Sequence, residues 1–154
     1  MRVLKFGGSS VSQPDRILMV AEILREYYSQ GIEFAVVFSA FGGITDALIH
    51  MSRLAEKGDE NYFTHFEAFS QRHFHAAHTL LQGPFLEKAL PELENNHEVL
   101  KNLLYGIFLV REVSPRTMDY VLSFGERNAA FIIAHVLQQI GLPAQYLDAR
   151  KIIK

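Results

Sequence analysis

The stretch MRVLKFGGSSV, residues 1–11, decides the reading of this chain. Arg2–Phe6 alternates polar and apolar side chains and runs into Gly7-Gly8-Ser9-Ser10, the pattern of a short strand entering a glycine turn with two hydroxyls. Ser12-Gln13-Pro14-Asp15 then opens an amphipathic helix, with Ser12 expected as N-cap, Pro14 in the first turn and Asp15 at the favourable end of the dipole. A strand, a glycine turn and a helix N-terminus make an anion site, because glycine lets the backbone approach a phosphate and free N–H groups point at it. Lys5 closes the strand, where its ammonium can reach the same anion. The lysine precedes the glycines, so this is not the G-x-x-x-x-G-K-[ST] loop, and G-x-G-x-x-G is absent too. Taken alone, these residues leave a plain tight turn open as an alternative.

Outward from that stretch, a first helix is expected over residues 14–29, with Ile17, Val20, Ala21, Leu24 and Tyr28 at helical spacing and Gly31 past its end. Phe34–Phe38, FAVVF, is continuously apolar and suits a strand covered on both faces of a parallel sheet. Strand–helix–strand in this order implies a right-handed crossover. Ser39-Ala40-Phe41-Gly42-Gly43 follows at the carboxyl end of that strand, where ligands bind in open α/β sheets. Ile44-Thr45-Asp46 starts another helix; turn and cap chemistry alone would also account for Ser39 and Thr45.

Residues 61–111 read as two long helices, with Gly83-Pro84 between them and Pro91 expected to kink or restart the second. Tyr62, Phe66, Phe69, His73 and Ala77 share a face, so the phenylalanine stripe reads as core. His73, His75 and His78 do not share one face of a helix and no metal site is expected there; solvated or core-edge histidines are. Ser114-Pro115 restarts a helix as N-cap and first-turn proline. Gly125 is expected to mark a break or a close approach, with Glu126 opening a buried helix over 128–140. In that position Glu126 could simply answer the helix dipole. Residues 144–147 read as a third strand, parallel to the first two.

The 154 residues suffice for one domain with a core, and 49% apolar residues argue against disorder. A net charge of −2 gives no argument for nucleic acid or an anionic membrane as partner. The absence of cysteine excludes disulfides, thiolate metal ligands and a cysteine nucleophile. No apolar run approaches a membrane span and no signal peptide precedes the first strand, so a soluble cytoplasmic protein is expected.

Longer strings narrow the function. Lys5-Phe6-Gly7-Gly8-Ser9-Ser10-Val11 closely resembles the opening of aspartokinases in the amino-acid kinase family, K-F-G-G-T-S-V, with Ser9 keeping the hydroxyl and losing a methyl. The segment from Val37 to Asp46 resembles the family's V-L-S-A-…-G-I-T-N, with Asp46 in place of asparagine and Phe41-Gly42 in place of a variable small pair. Ser123-Phe124-Gly125-Glu126 resembles S-x-G-E, and Tyr146-Leu147-Asp148-Ala149-Arg150 resembles the next family segment. The resemblance covers the whole chain but only about the first half of the family's kinase domain. The later G-R-G-G-S-D string, the adenine-binding segment with its T-D and the regulatory ACT domains are missing. The opening MRVLKFGG also resembles kinases fused to homoserine dehydrogenase.

That resemblance implies an α/β fold: part of a three-layer αβα sandwich, mainly parallel, with an inserted helical hairpin. It implies transfer of the ATP γ-phosphoryl group to the β-carboxylate of L-aspartate, with Mg²⁺ carried by the nucleotide and no metal ligand assigned on this chain. Lys5 would be catalytic, and would hold phosphate together with Gly7, Gly8, Ser9 and Ser10. Ser39 and Thr45 would hold the carboxylates of aspartate, and Glu126 its ammonium. A homo-oligomer is expected, inactive as 154 residues alone. Another amino-acid kinase (carbamate, acetylglutamate or uridylate) or a non-catalytic short form acting as a binding module are the alternatives.

Overall fold

The alternation at Arg2–Phe6 folds as β1 and the apolar run Phe34–Phe38 as β2. The computed structural model describes residues 1–152. Between and after the strands stand α1 (Pro14–Ser29), α2 (Ile44–Lys57), α3 (Tyr62–Leu80), α4 (Gly83–Val110) and α5 (Pro115–Gln139), with short 3-10 turns at Gly8–Val11 and Ala149–Lys151. β1 and β2 pair in parallel, from Arg2 opposite Phe34 to Phe6 opposite Phe38. The pairing places both strand ends, and the turns that follow them, at one edge.

Alternation decides which face is covered. Leu4, Phe6, Phe34, Val36 and Phe38 pack against the helical core. Val3, Lys5, Ala35 and Val37 face the other way and are exposed, Val37 at 52%. The described residues therefore supply the parallel pair and one helical layer of the αβα sandwich, and FAVVF is covered on one face rather than two.

The expected third strand does not form among the described residues. At the start of that segment the backbone of Ala144 is already engaged: its N–H donates to the Leu142 carbonyl (2.8 Å) and its carbonyl accepts from Gln138 Nε2 (2.8 Å). Tyr146 packs edge-on against Phe131 of α5, with ring centroids 5.6 Å apart. An apolar groove of about 530 Å³ separates this segment from β2, lined by Phe34, Val36, Ala134, Leu137 and Leu142 among others.

The helical hairpin is present as α3 and α4. Tyr62, Phe66, Phe69, His73 and Ala77 are buried along one face of α3, as the spacing predicts. His73 is fully buried, not at the core edge, while His75 and His78 are exposed. α4 runs unbroken through Pro91, and the proline of its first turn is Pro84. Ser114 caps α5, its hydroxyl accepting from Thr117 N–H at 3.1 Å. Ser12 does not cap α1: its Oγ donates to the Ser9 carbonyl (3.0 Å), tying it to the preceding turn, and Gln13 holds the N-cap position.

α5 also differs from expectation. It passes through Gly125 without a break, so Glu126 lies mid-helix and cannot be serving the dipole of a helix N-terminus. The close-approach reading of Gly125 holds. A Cβ there would stand 2.8 Å from Ala40 Cβ and 3.3 Å from Ile44 Cγ2. Packing α5 onto the loop after β2 outweighs the helix cost of glycine, about 1 kcal/mol.

Gly125→Ala is therefore expected to destabilise the fold by about 1–3 kcal/mol, although alanine is the better helix former. Adding Ala40→Gly should recover part of the loss, a coupling of at least about 0.5 kcal/mol in a double-mutant cycle read by urea unfolding. Additive losses would show that the two Cβ positions do not meet.

Candidate active site

Three segments meet at the carboxyl edge of the strand pair, and each contributes a glycine at the contact. After β1, the Gly7 carbonyl accepts from Ser10 N–H at 2.9 Å and closes the 3-10 turn. After β2, Ser39 N–H donates to the Phe6 carbonyl at 3.0 Å, extending the ladder by one bond. The chain then turns through Ala40, Phe41, Gly42 and Gly43 into α2, with Gly43 left-handed (φ 80°) at its N-cap. The turns pack backbone to backbone: a Cβ on Gly8 would stand 3.2 Å from the Ala40 carbonyl oxygen, and one on Gly42 would stand 3.1 Å from Ser12 Cβ. Gly125 seats α5 against Ala40 from the helical side.

The expected phosphate turn (Gly7, Gly8, Ser9, Ser10), the loop bearing Ser39 and Thr45, and the helix turn bearing Glu126 are therefore linked by direct contacts. Ser39 is half-buried, whereas Thr45 and Glu126 are exposed. The side chains of these three form no hydrogen bond among the described residues, which leaves their polar atoms to a ligand or to solvent. Lys5 sits one residue before the end of β1 on the bare face of the sheet, the face turned away from the helical layer.

Sequence reasoning missed the groups that brace these segments. Arg16 Nη1 donates to the Ser9 carbonyl (3.3 Å) and Arg72 Nη2 to the Ser12 carbonyl (3.2 Å). Next to Arg72, the His73 ring stacks on Phe41 with centroids 5.3 Å apart. Arg127, one residue beyond Glu126, lies over the Phe124 ring at 4.5 Å, donates to Asn96 Oδ1 at 3.1 Å and stands 4.0 Å from Asp148 Oδ2. Asp148 takes a two-pronged bond from Arg150, which with lesser help from Arg127 holds its carboxyl down at about 2. The bonds of Arg127 to Asn96 and of Arg72 to Ser12 have no local sequence signal, because their partners are 31 and 60 residues apart. Among the described residues no group of three or more His, Cys, Asp or Glu could hold a metal ion, and no helix is long and apolar enough to cross a membrane.

The description "Amino acid kinase family" matches residues 1–154. The chain belongs to the amino acid kinase family. It is 32% identical over 151 residues to the bifunctional aspartokinase/homoserine dehydrogenase 2, chloroplastic, of Arabidopsis thaliana, covering 98% of this chain and 16% of that protein. It is 32% identical over 157 residues to aspartokinase 2, chloroplastic, of the same plant, covering 97% and 27%. The crystal structure of E. coli aspartokinase III in complex with lysine and aspartate superposes with a TM-score of 0.85 at 27% identity, over 99% of this chain and 32% of that one. The form of that enzyme in complex with aspartate and ADP gives 0.82. This kinase-family chain thus spans between a sixth and a third of the length of the proteins it matches.

The buried ring pair beneath the site makes stability depend on pH. Burial lowers His73 from 6.5 to about 4, and burial with the neighbouring His73 lowers His97 to about 3. Both are neutral in the folded state near pH 7, while the unfolded chain takes up protons from about pH 6.5 downward. The contribution is complete above that value and is lost as pH falls through the window from 6.5 to about 4 for His73 and 3 for His97. The expected loss for His73 is on the order of 3 kcal/mol. Urea midpoints between pH 7 and 4.5 should fall more steeply for the natural sequence than for His73→Phe; equal slopes would place His73 in water.

Proposed function

We propose that this chain is the N-terminal part of an aspartate kinase domain, without the nucleotide-binding half and regulatory domains. The reaction is transfer of the γ-phosphoryl group of ATP to the β-carboxylate of L-aspartate, giving 4-phospho-L-aspartate and ADP, the first step toward lysine, threonine and methionine. The observation that carries this reading is the three-way glycine contact, which sets a phosphate-type turn against a loop with free hydroxyls and a mid-helix carboxylate. Similarity to an aspartokinase crystallised with aspartate and ADP supports aspartate as the acceptor and an adenine nucleotide as its partner.

The carboxylate oxygen of aspartate is already a nucleophile, so no general base is needed. It bonds to the γ-phosphorus as the bond to the β–γ bridging oxygen breaks, and ADP leaves with that electron pair. The work left to protein is positioning and charge neutralisation. Gly7 and Gly8 offer backbone N–H groups, and Ser9 and Ser10 hydroxyls, to the phosphate oxygens. Lys5 neutralises charge on the transferring group. Ser39 and Thr45 donate hydroxyls to the carboxylates of aspartate, and Glu126 accepts from its ammonium. Its mid-helix position supports that role, because no helix N-terminus there competes for the carboxylate. Mg²⁺ travels with ATP; no ligand on this chain is assigned to it and no step runs through it. The bare sheet face and the apolar groove beside β2 support self-association, in keeping with a homo-oligomer.

In the complete kinase, Lys5→Ala should lower kcat by about two orders of magnitude or more and change the KM for aspartate little, since its charge matters most in the transition state. Glu126→Gln should instead raise the aspartate KM about tenfold or more, by leaving a neutral amide where a carboxylate pairs with the ammonium. Steady-state kinetics with aspartate, glutamate, acetylglutamate and carbamate as acceptors tests the reading. Turnover of another acceptor in preference to aspartate would move the protein elsewhere in the family.

Residues 1–154 by themselves should show no kinase turnover and bind Mg·ATP weakly, because in-line transfer needs the nucleotide fixed as firmly as the acceptor. Calorimetry and a coupled ADP assay check this. Turnover of aspartate that is abolished by Lys5→Ala would mean the chain holds the whole site.

A further inference from the structure

We propose that Arg72 is a positioning residue, one that holds the phosphate turn and the acceptor turn in the relative placement that phosphoryl transfer requires. The inference rests on the aspartate kinase reading above and adds to it a residue from the inserted hairpin. Arg72 lies on α3, remote in sequence from both turns, yet its partly buried guanidinium bonds to the first and lies alongside the second. Nη2 donates to the Ser12 carbonyl at 3.2 Å, just after the Gly8–Val11 turn. Nη1 stands 3.8 Å from the place a Cβ on Gly43 would occupy, at the N-cap of α2. The contact of Gly42 with Ser12 lies between those two points.

The planar fork suits this task, since its N–H groups diverge in fixed directions from a rigid centre. Lysine could reach the Ser12 carbonyl or the Gly43 flank, but not both at once. Arg72 forms no ion pair with a carboxylate among the described residues, so no acidic side chain pulls it away from the turns. The next residue reinforces the grip, with His73 stacked on Phe41 inside the acceptor turn at an interplanar angle of 22°. His73 is itself fixed by its Nδ1–H donating to the Phe69 carbonyl at 2.9 Å. Two consecutive residues of the hairpin thus hold the two loops, one by hydrogen bonding and one by stacking. A glycine-to-glycine contact has little side-chain interlock of its own, so its register needs an external brace.

The test uses the complete protein that carries this chain, with Arg72→Ala, Arg72→Lys and, as a control on the exposed side of α2, Arg53→Ala. Three readings are taken: thermal unfolding, steady-state kinetics, and amide hydrogen exchange resolved over residues 8–12, 42–45 and 93–104. For both Arg72 variants we expect kcat to fall about tenfold or more, with the KM for aspartate and for ATP within about threefold, because misplacement costs rate before it costs binding. Exchange should rise about tenfold or more in 8–12 and 42–45 together and stay unchanged in 93–104. Arg53→Ala should change none of these. A kcat within twofold of the natural enzyme in Arg72→Ala overturns the proposal. Full restoration by Arg72→Lys overturns it too, since charge alone would then suffice. A change of exchange in one turn only does the same. If the natural protein fails to turn over aspartate, the kinase reading falls, and the exchange data alone decide whether Arg72 braces the turns.

Discussion

Everything near the proposed site depends on backbone meeting backbone where the two parallel strands end. Gly8 against the Ala40 carbonyl, Gly42 against Ser12 and Gly125 against Ala40 leave no room for a Cβ without movement of a neighbour. This closeness brings the first turn, the second turn and the helix turn bearing Glu126 to one edge of a sheet that is two strands wide among the described residues. Larger residues would fill the same volume with side-chain atoms and push the polar groups apart. The glycines are therefore a packing requirement first, and the exposed backbone that a phosphate needs follows from it.

The hairpin α3–α4 provides the stiffness that such a contact lacks. Its core is aromatic: the Phe69, His73 and His97 rings form a triangle, 4.5, 5.4 and 5.5 Å apart between centroids, and Phe66 packs on Phe69. His97 also shares a hydrogen bond with Ser70 at 2.9 Å. Both imidazoles behave as neutral aromatic rings with one polar edge satisfied, and each keeps a buried Nε2 unpaired among the described residues. Those unpaired nitrogens cost stability. What they support is a surface on α3 that presents Arg72 outward and His73 inward at the level of the glycine turns. The hairpin, which reads as an insertion in sequence, is mechanically part of the site.

How much of this was legible in the sequence follows the range of each interaction. α1, β2, α3 and the cap of α5 were readable because periodicity, an apolar run and a Ser-Pro pair act within a few residues. Gly125 was readable as an anomaly, but local rules offered two explanations, and only the position of Ala40, far away in sequence, chose close approach over a break. Residues 144–147 have strand-like composition, yet a strand needs an open partner edge in the right place; a glutamine on α5 and the chain's own Leu142 carbonyl hold the backbone of Ala144 instead. FAVVF suggested two covered faces, and its composition cannot say how many layers a given stretch of chain supplies. Arg72 and Arg127 gave no signal, because a charged residue on a helix looks the same whether it faces water or grips a carbonyl dozens of residues away.

One departure from the family pattern bears on the charge of the acceptor loop. Asp46 stands where asparagine is usual, in the first turn of α2, so its carboxylate answers the positive end of that helix dipole. In the proposed reading, an anionic acceptor approaching Thr45 would meet a helix end whose half-charge is already offset. The guanidinium of Arg72 lies on the other flank of the same turn, beside Gly43, without a carboxylate partner among the described residues. In that reading a positive charge placed there would offset the effect of Asp46, and would do so from a helix rather than from the loop. The acceptor loop is thus balanced by residues on two different helices. Asp46→Asn in the complete kinase acts on this balance alone, because it keeps the side chain's size and removes only its charge.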